Sequence, residues 1–159
     1  MNTNRFVATL YGRNITNISD FTAHMSHAQS LLAPHPRANC AHWLVGHLCV
    51  YRNRLLRLVG QPAAIDDAAV ARYVRDSAPV HSDEPGLTPF ATLRTALLAS
   101  QVPLAAGFAA LNDITGAVPI SFDTTSGSLT LTTAEWFLFL FRHEAVHTGQ
   151  LDLCAELVK

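Results

Sequence analysis

Three histidines carry the chemistry that this sequence predicts. His143 and His147 lie four residues apart in FRHEAVHTGQL, and His47 lies in a separate amphipathic segment much earlier in the chain. Residues i and i+4 share one face of a helix, one turn apart. Two imidazoles so placed can bind one metal ion. A third, from a facing helix, completes a site that leaves one coordination position for water or substrate.

The alternative to a metal site is an ordinary set of core histidines. A single histidine on an apolar stripe is usually a core residue with one hydrogen bond, whereas neutral imidazoles on adjacent turns need partners for all their nitrogens. Three nitrogen ligands suit zinc, nickel or iron(II), and the ion can activate a bound water or hold a thiol as thiolate. The other histidines share no helical face with these three, although two of them form an i, i+3 pair: His24, His27, His35, His42 and His81.

The string HEAVH also matches the His-Glu-x-x-His motif of zinc proteases, in which the glutamate is the general base. The extended form of that motif requires glycine and histidine where this chain has Gln150 and Leu153, and few residues follow His147. We therefore interpret Glu144 as a partly exposed carboxylate or as a support behind the ligands. A small zinc hydrolase stays a less favoured alternative.

Four long segments have apolar residues at helical spacing, and strand signals are nearly absent. The first runs from Asn4 to Met25. The second begins with Asn39 as N-cap and ends at Gly60. These patterns place His47 on the inward stripe of the second helix and Asn14 on that of the first.

The third predicted helix begins at Thr88-Pro89 and runs to about Leu111, with a kink at Pro103. The fourth begins at Thr132, where Thr132-x-x-Glu135 is typical of a capping box, and carries His143 and His147. Two long links separate these helices. The first link, residues 61–87, is predicted to contain a short helix over Asp66–Arg75. The second, residues 113–131, is predicted to contain a hairpin that pairs Ile120–Phe122 with Leu129–Leu131.

The composition favours a helical domain that hides much of its surface. The chain has 159 residues, interpreted as one domain over 1–159; 49% are apolar, only 14% are charged, and the net charge is −1. This balance argues against nucleic acid or an anionic membrane as partner and favours a homodimer.

No secretory signal is visible, and the uncharged segment from Thr95 to Asn112 is predicted to be a core helix. Three unpaired cysteines, among them Cys154, favour the reducing cytoplasm.

Two segments resemble one known family. HWLVGHL, which contains His47, is similar to the helix-2 signature of the DinB-like (YfiT-like) metal-binding bundles, and HEAVHTGQL is similar to their helix-4 signature. The order of the two motifs, their separation and the capped start SLTLTTAEW also fit, and the resemblance covers nearly the whole chain. Residues 61–87 and Pro103 match no part of the family pattern.

The resemblance implies an all-α four-helix bundle of up-down-down-up topology with a long crossover between helices 2 and 3. It also implies one divalent metal, zinc or nickel, on His47, His143 and His147, and a homodimer. Some relatives use a low-molecular-weight thiol as co-substrate, as S-transferases or as a maleylpyruvate isomerase.

We therefore favour a metalloenzyme for thiol-dependent transfer or isomerisation of a small molecule. The alternative is a non-catalytic, metal-stabilised bundle that binds a ligand or responds to stress. No catalytic residue is assigned. Four side chains are candidates for lining the pocket or supporting the ligands by hydrogen bonds, although each also fits an ordinary packing role: Asn14, Tyr51, Glu144 and Gln150.

Overall fold

The computed structural model describes residues 3–111, 120–124 and 127–159, and these are mostly helical, which confirms the predicted all-α class. No helix within these ranges is long and apolar enough to cross a membrane. In chain order the elements are α1 (Thr3–Thr22), α2 (His27–Ser30), α3 (Ala41–Leu58), α4 (Asp67–Val70), a 3-10 turn (Ala71–Tyr73), α5 (Phe90–Ala99), α6 (Gln101–Ala110), β1 (Ile120–Thr124), β2 (Gly127–Leu131) and α7 (Thr133–Glu156).

Two predicted N-caps are displaced by one residue. The N-cap of α3 is Cys40 rather than Asn39, because Cys40 has the extended backbone that an N-cap needs. The N-cap of α5 is Pro89 rather than Thr88. The Thr88 hydroxyl instead donates to the carbonyl of Ala69 at 2.6 Å, so it ties the start of α5 to the preceding link.

Two other helix signals act as the sequence predicts. Gly60 follows the end of α3 with a φ of 72°, and the N–H groups of Gly60 and Gln61 donate to carbonyls in the last turn of the helix. This is a Schellman motif, which favours glycine because its φ is positive. At the start of α7, Thr132 and Glu135 form the predicted capping box.

The predicted kink in the third segment is a break at Ser100, three residues before Pro103. A proline inside a helix lacks an N–H and clashes with the carbonyl four residues earlier, here that of Ala99. Because one helix ends at Ala99 and the next begins at Gln101, Pro103 lies in a first turn, where its missing N–H leaves no intrahelical bond unmade.

The buried apolar side chains form two clusters, one toward each end of α3. The first joins the N-terminal part of α3 to α5 and to the C-terminal part of α7. The second joins the C-terminal part of α3 to α6 and to the N-terminal part of α7. Helix α1 contributes residues to both clusters, so the two clusters together form one core that all four long segments share. Its most deeply buried members include Ile18, Leu44, Leu48, Leu93, Leu97, Tyr11, Leu55, Leu56, Phe108 and Phe137.

The two long links contain the short elements predicted for them. In the first, the helix expected over Asp66–Arg75 is shorter: it covers Asp67–Val70, with Asp66 as N-cap, and continues as a 3-10 turn to Tyr73. In the second, β1 pairs with β2 antiparallel, with Ile120 opposite Leu131. Residues 112–119 of that link, and residues 125–126 of the predicted DTTSGS turn, lie outside the described residues.

Candidate metal centre

Three imidazole rings from two helices converge on one point. Nε2 of His143 lies 3.1 Å from Nε2 of His47 and 3.1 Å from Nε2 of His147. The candidate ligand atoms of the three residues all lie within 4.8 Å of one another, and no other group of three such side chains converges in the described part of the chain. The structure thus brings together the three histidines that their spacing singled out.

Hydrogen bonds at the far ring nitrogens fix which nitrogen of two histidines faces the centre. Nδ1 of His47 donates to the carbonyl of Tyr73 at 2.7 Å, and Nδ1 of His147 donates to Oε1 of Gln150 at 2.6 Å. Because a neutral imidazole carries a single N–H, both Nε2 atoms then present lone pairs to the centre. Such bonds at the outer nitrogen orient metal-binding histidines and make them better ligands.

Burial keeps the three rings in the neutral form that binds metal. It is the main cause that lowers the pKa of His47 to about 4 and that of His143 to about 3, and it also lowers the pKa of His147. Nε2 of His143 is either an N–H, which can donate to only one of its two neighbours, or a lone pair, so at least one of the two 3.1 Å contacts is not a hydrogen bond. Nδ1 of His143 is buried and has no hydrogen-bond partner within the described ranges. A cation at the centre would accept all three lone pairs, so these residues fit a metal ion.

Aromatic side chains cover the histidines. The Trp43 ring stacks on His47 with centroids 4.4 Å apart and an interplanar angle of 19°. Tyr51, one turn further along α3, lies over His143 at 4.0 Å and contacts His47 at 4.9 Å. Tyr51, an open candidate from its position in the sequence, therefore lines the site. Trp43 adds an apolar wall.

The 3-10 turn supplies a support for His47 that sequence reasoning missed. Tyr73 is fully buried, and its ring packs so closely on α3 that a Cβ at Gly46 would lie 2.4 Å from it. Its hydroxyl pairs with Nε2 of the buried His42 at 2.9 Å, while its carbonyl accepts from His47. Contacts with His42, Gly46 and His47 thus hold Tyr73 against α3. In the sequence, this contact between Tyr73 and α3 is indicated only by the adjacent Gly46 and His47 of HWLVGHL.

Glu144 is not available as a general base. It is buried, with 4% of its surface exposed, so the first of its two predicted roles, a partly exposed carboxylate, is wrong. Both carboxylate oxygens accept from Arg52, at 2.6 and 2.7 Å, and Arg52 is itself 1% exposed. Arg52 also donates to the carbonyl of Tyr11 and to Gln101, so this ion pair links α1, α3, α6 and α7. The geometry removes the main support for a zinc hydrolase.

The other candidates divide between the site and the core. Gln150 is exposed and orients His147, as described above. Asn14 is buried but does not line the histidine cavity, and its Nδ2 has no hydrogen-bond partner among the described residues. Cys154 is a buried free thiol whose pKa burial raises to about 11, which fits a core role. His24 and His27 join no third ligand in the described ranges, and His27 instead contacts Asp83.

The histidines open into a cavity of about 370 Å³ between α3, α7 and the link. A neighbouring cavity of about 630 Å³ continues along the same two helices, and both are lined by Tyr51, Arg75 and Phe139. These volumes are within the range of small-molecule sites. The link 61–87, which the family pattern did not cover, therefore forms one wall of the site.

A mostly helical fold with three inward histidines defines a candidate metal-binding helical protein. The family model of the DinB superfamily matches residues 11–151, so the chain belongs to the DinB superfamily. It is similar in fold to a conserved protein from Enterococcus faecalis known from a crystal structure, with a TM-score of 0.71 and 15% identity over 99% of this chain and 98% of that one. No protein of curated function matches the chain.

Proposed function

We propose that the chain binds one divalent metal ion through Nε2 of His47, His143 and His147 and uses it in thiol-dependent transfer or isomerisation of a small molecule. The observation that carries the metal site is the convergence of three Nε2 atoms, two of them with the opposite nitrogen already engaged as a donor. Membership of the DinB superfamily supports the same site.

A divalent ion held there would supply a Lewis acid that lowers the pKa of a bound water or thiol. The chain's own residues have separate roles. Tyr73 and Gln150 orient two of the imidazoles, while Trp43 and Tyr51 exclude water from one side. The adjoining cavity admits a small substrate.

Metal analysis tests the site. We expect wild type to retain one divalent ion per chain after purification and dialysis, and His47→Ala and His143→Ala to lose it. His81→Ala, an exposed histidine outside the site, is the matched control and should keep the metal. Equal metal content in all four proteins would contradict the site.

Turnover tests the reaction. Wild type is assayed with a panel of electrophiles and with glutathione, mycothiol and bacillithiol as thiols. We expect thiol-dependent turnover that His147→Ala abolishes and His81→Ala preserves. Turnover that is independent of thiol, or insensitive to His147→Ala, would contradict the proposed chemistry.

One observation favours a second candidate, a non-catalytic bundle that the metal stabilises. Within the described residues, the one carboxylate that lines the histidine cavity is that of Asp76, and it lies 3.6 Å from Arg75, while Glu144 is committed to Arg52. The cavity thus offers no unpaired carboxylate as a base. A metal-dependent rise in melting temperature without turnover with any of the thiols would favour this candidate.

Finer features of the assignment are also proposals. The three nitrogen ligands favour zinc or nickel. The up-down-down-up order is supported by the two core clusters, which join opposite ends of α3 to opposite ends of α7. A homodimer is supported by the low charge, and a cytoplasmic location by the free thiols of Cys40, Cys49 and Cys154.

A further inference from the structure

A groove runs from the three histidines along α3 and α7. On α3, His47, Tyr51, Arg54 and Leu58 follow one another at intervals of three or four residues, so they share one face of the helix. The histidine cavity and its larger neighbour meet at Tyr51. Along α3 the distance from His47 to Leu58 corresponds to about 16 Å of helix. This length suits a molecule with two distinct ends.

The far half of the groove has apolar walls. On α7, Trp136 and Phe139 stack with their ring centroids 5.3 Å apart and an interplanar angle of 12°. Leu58 from α3 and Val74 from the link line the same cavity. These side chains favour an apolar or aromatic body for the bound molecule.

The polar groups of this half are mostly cationic. Arg54, Arg57 and Arg75 line the larger cavity, and no carboxylate lines it within the described residues. Arg57 is engaged with Asp67 at 2.6 Å on the exposed side. Arg75 lies 3.6 Å from Asp76, so a bound anion would share Arg75 with that carboxylate. Arg54 is exposed, lies over the Tyr51 ring at 4.9 Å and makes no ion pair in the described part of the chain.

The charge balance of the site adds to this cationic surface. Three neutral imidazoles leave both charges of a divalent ion uncompensated, because no carboxylate joins the ligand set. Arginine binds carboxylate and phosphate groups through paired hydrogen bonds. A molecule with an anionic end would therefore complement the groove better than a neutral one.

We propose that the substrate is an organic anion whose carboxylate or phosphate group binds Arg54 and Arg75, whose apolar body lies against Trp136 and Phe139, and whose reactive end reaches the three histidines. The contact of the reactive end with the three histidines rests on the proposed function. Binding of the anionic group to the arginines does not, and it can be measured separately.

Three matched probes test the proposal: benzoate, phenyl phosphate and benzamide, which share one ring and differ in charge. Their binding is measured by ligand-observed NMR on wild type, Arg54→Gln, Arg75→Gln and Arg13→Gln. Arg13 is exposed on α1 and lines a different groove, so it controls for the change of net charge. Each protein is measured metal-free and metal-loaded, and its metal content is recorded.

We expect at least one anion to bind wild type and Arg13→Gln, with and without metal. It should bind about tenfold more weakly to Arg54→Gln and Arg75→Gln, since each loses a charge-assisted hydrogen bond. The anion that binds more tightly identifies the group as carboxylate or phosphate. Equal binding of all three probes, binding of neither anion, or equal losses in Arg54→Gln and Arg13→Gln would overturn the proposal. A wild type that holds no metal but binds the anion would refute the metal site alone.

Discussion

The contact between Gly46 and Tyr73 allows the sharpest test of how His47 is held. In Gly46→Ala, the new Cβ would lie 2.4 to 2.7 Å from three atoms of the Tyr73 ring, distances that real Cβ atoms essentially never show. The nearest atom is Cγ, the root of the ring, so the side chain cannot swing aside without moving the Tyr73 backbone. That backbone carries the carbonyl that accepts from Nδ1 of His47 at 2.7 Å.

The expected magnitude follows from a comparison with a second glycine. Overpacking a tight contact costs about 1–3 kcal/mol. Replacing a helical glycine by alanine also stabilises a helix by about 1 kcal/mol through backbone entropy. Gly149 in α7 has open space around its Cβ position, so Gly149→Ala should show this gain alone. The difference between the two variants therefore isolates the clash, at about 1–3 kcal/mol.

Urea unfolding of the metal-free proteins measures this difference, and a chelator competition assay measures metal affinity. Because the Tyr73 carbonyl orients His47, we expect Gly46→Ala to bind metal about 10–100-fold more weakly than Gly149→Ala. If both variants unfold at the same urea concentration and bind metal equally, Tyr73 does not hold the ligand. A loss of stability without a loss of affinity would limit Tyr73 to packing.

Three further predictions test the core, the cap and the metal. Glu144→Gln should destabilise the fold by about 3–5 kcal/mol in urea, because Arg52 is left buried and unpaired; a variant as stable as wild type would refute this. Thr132→Ala should cost about 1 kcal/mol. Hydrogen bonds from Thr132 hold the pKa of Glu135 below its usual value, so this cap should stabilise α7 above about pH 4.3 and weaken as the pH falls; a pH series of unfolding curves measures this. A divalent metal at a hundredfold excess over Kd should stabilise wild type by about 2.7 kcal/mol in thermal unfolding and His143→Ala by none, and equal shifts would contradict the site.

Local sequence determined most of the helical framework. The Thr132-x-x-Glu135 box fixes the start of α7, and Gly60 fixes the end of α3, because caps and positive-φ residues act within a few residues of their own position. The i, i+4 spacing of His143 and His147 likewise makes them neighbours on any helix. The predictions of Asn39 and Thr88 as N-caps were wrong by one residue. The next residue, Cys40 or Pro89, takes the N-cap position instead.

The pairing of distant segments was decided only by the tertiary structure. Spacing placed His47 on an inward stripe, but which face of α7 that stripe meets depends on how the whole core packs. Glu144 follows His143 directly, and the sequence predicted a partly exposed or supporting carboxylate there. It lies instead on the buried side of α7, where Arg52 neutralises it. Nothing near Glu144 in the sequence specifies a partner on another helix.

The walls of the groove depend in the same way on the link between helices. In residues 61–87 the sequence predicted only a short helix. The fold places Tyr73 of that segment behind His47 and Arg75 at the wall of the cavity. The sequence by itself determined most of the helical segments, the caps at Gly60 and Thr132 and the two-histidine face. The third ligand's position, its carbonyl support and the cationic groove arise from contacts between residues far apart in the chain, which local propensity cannot encode because each depends on the packing of every helix between them.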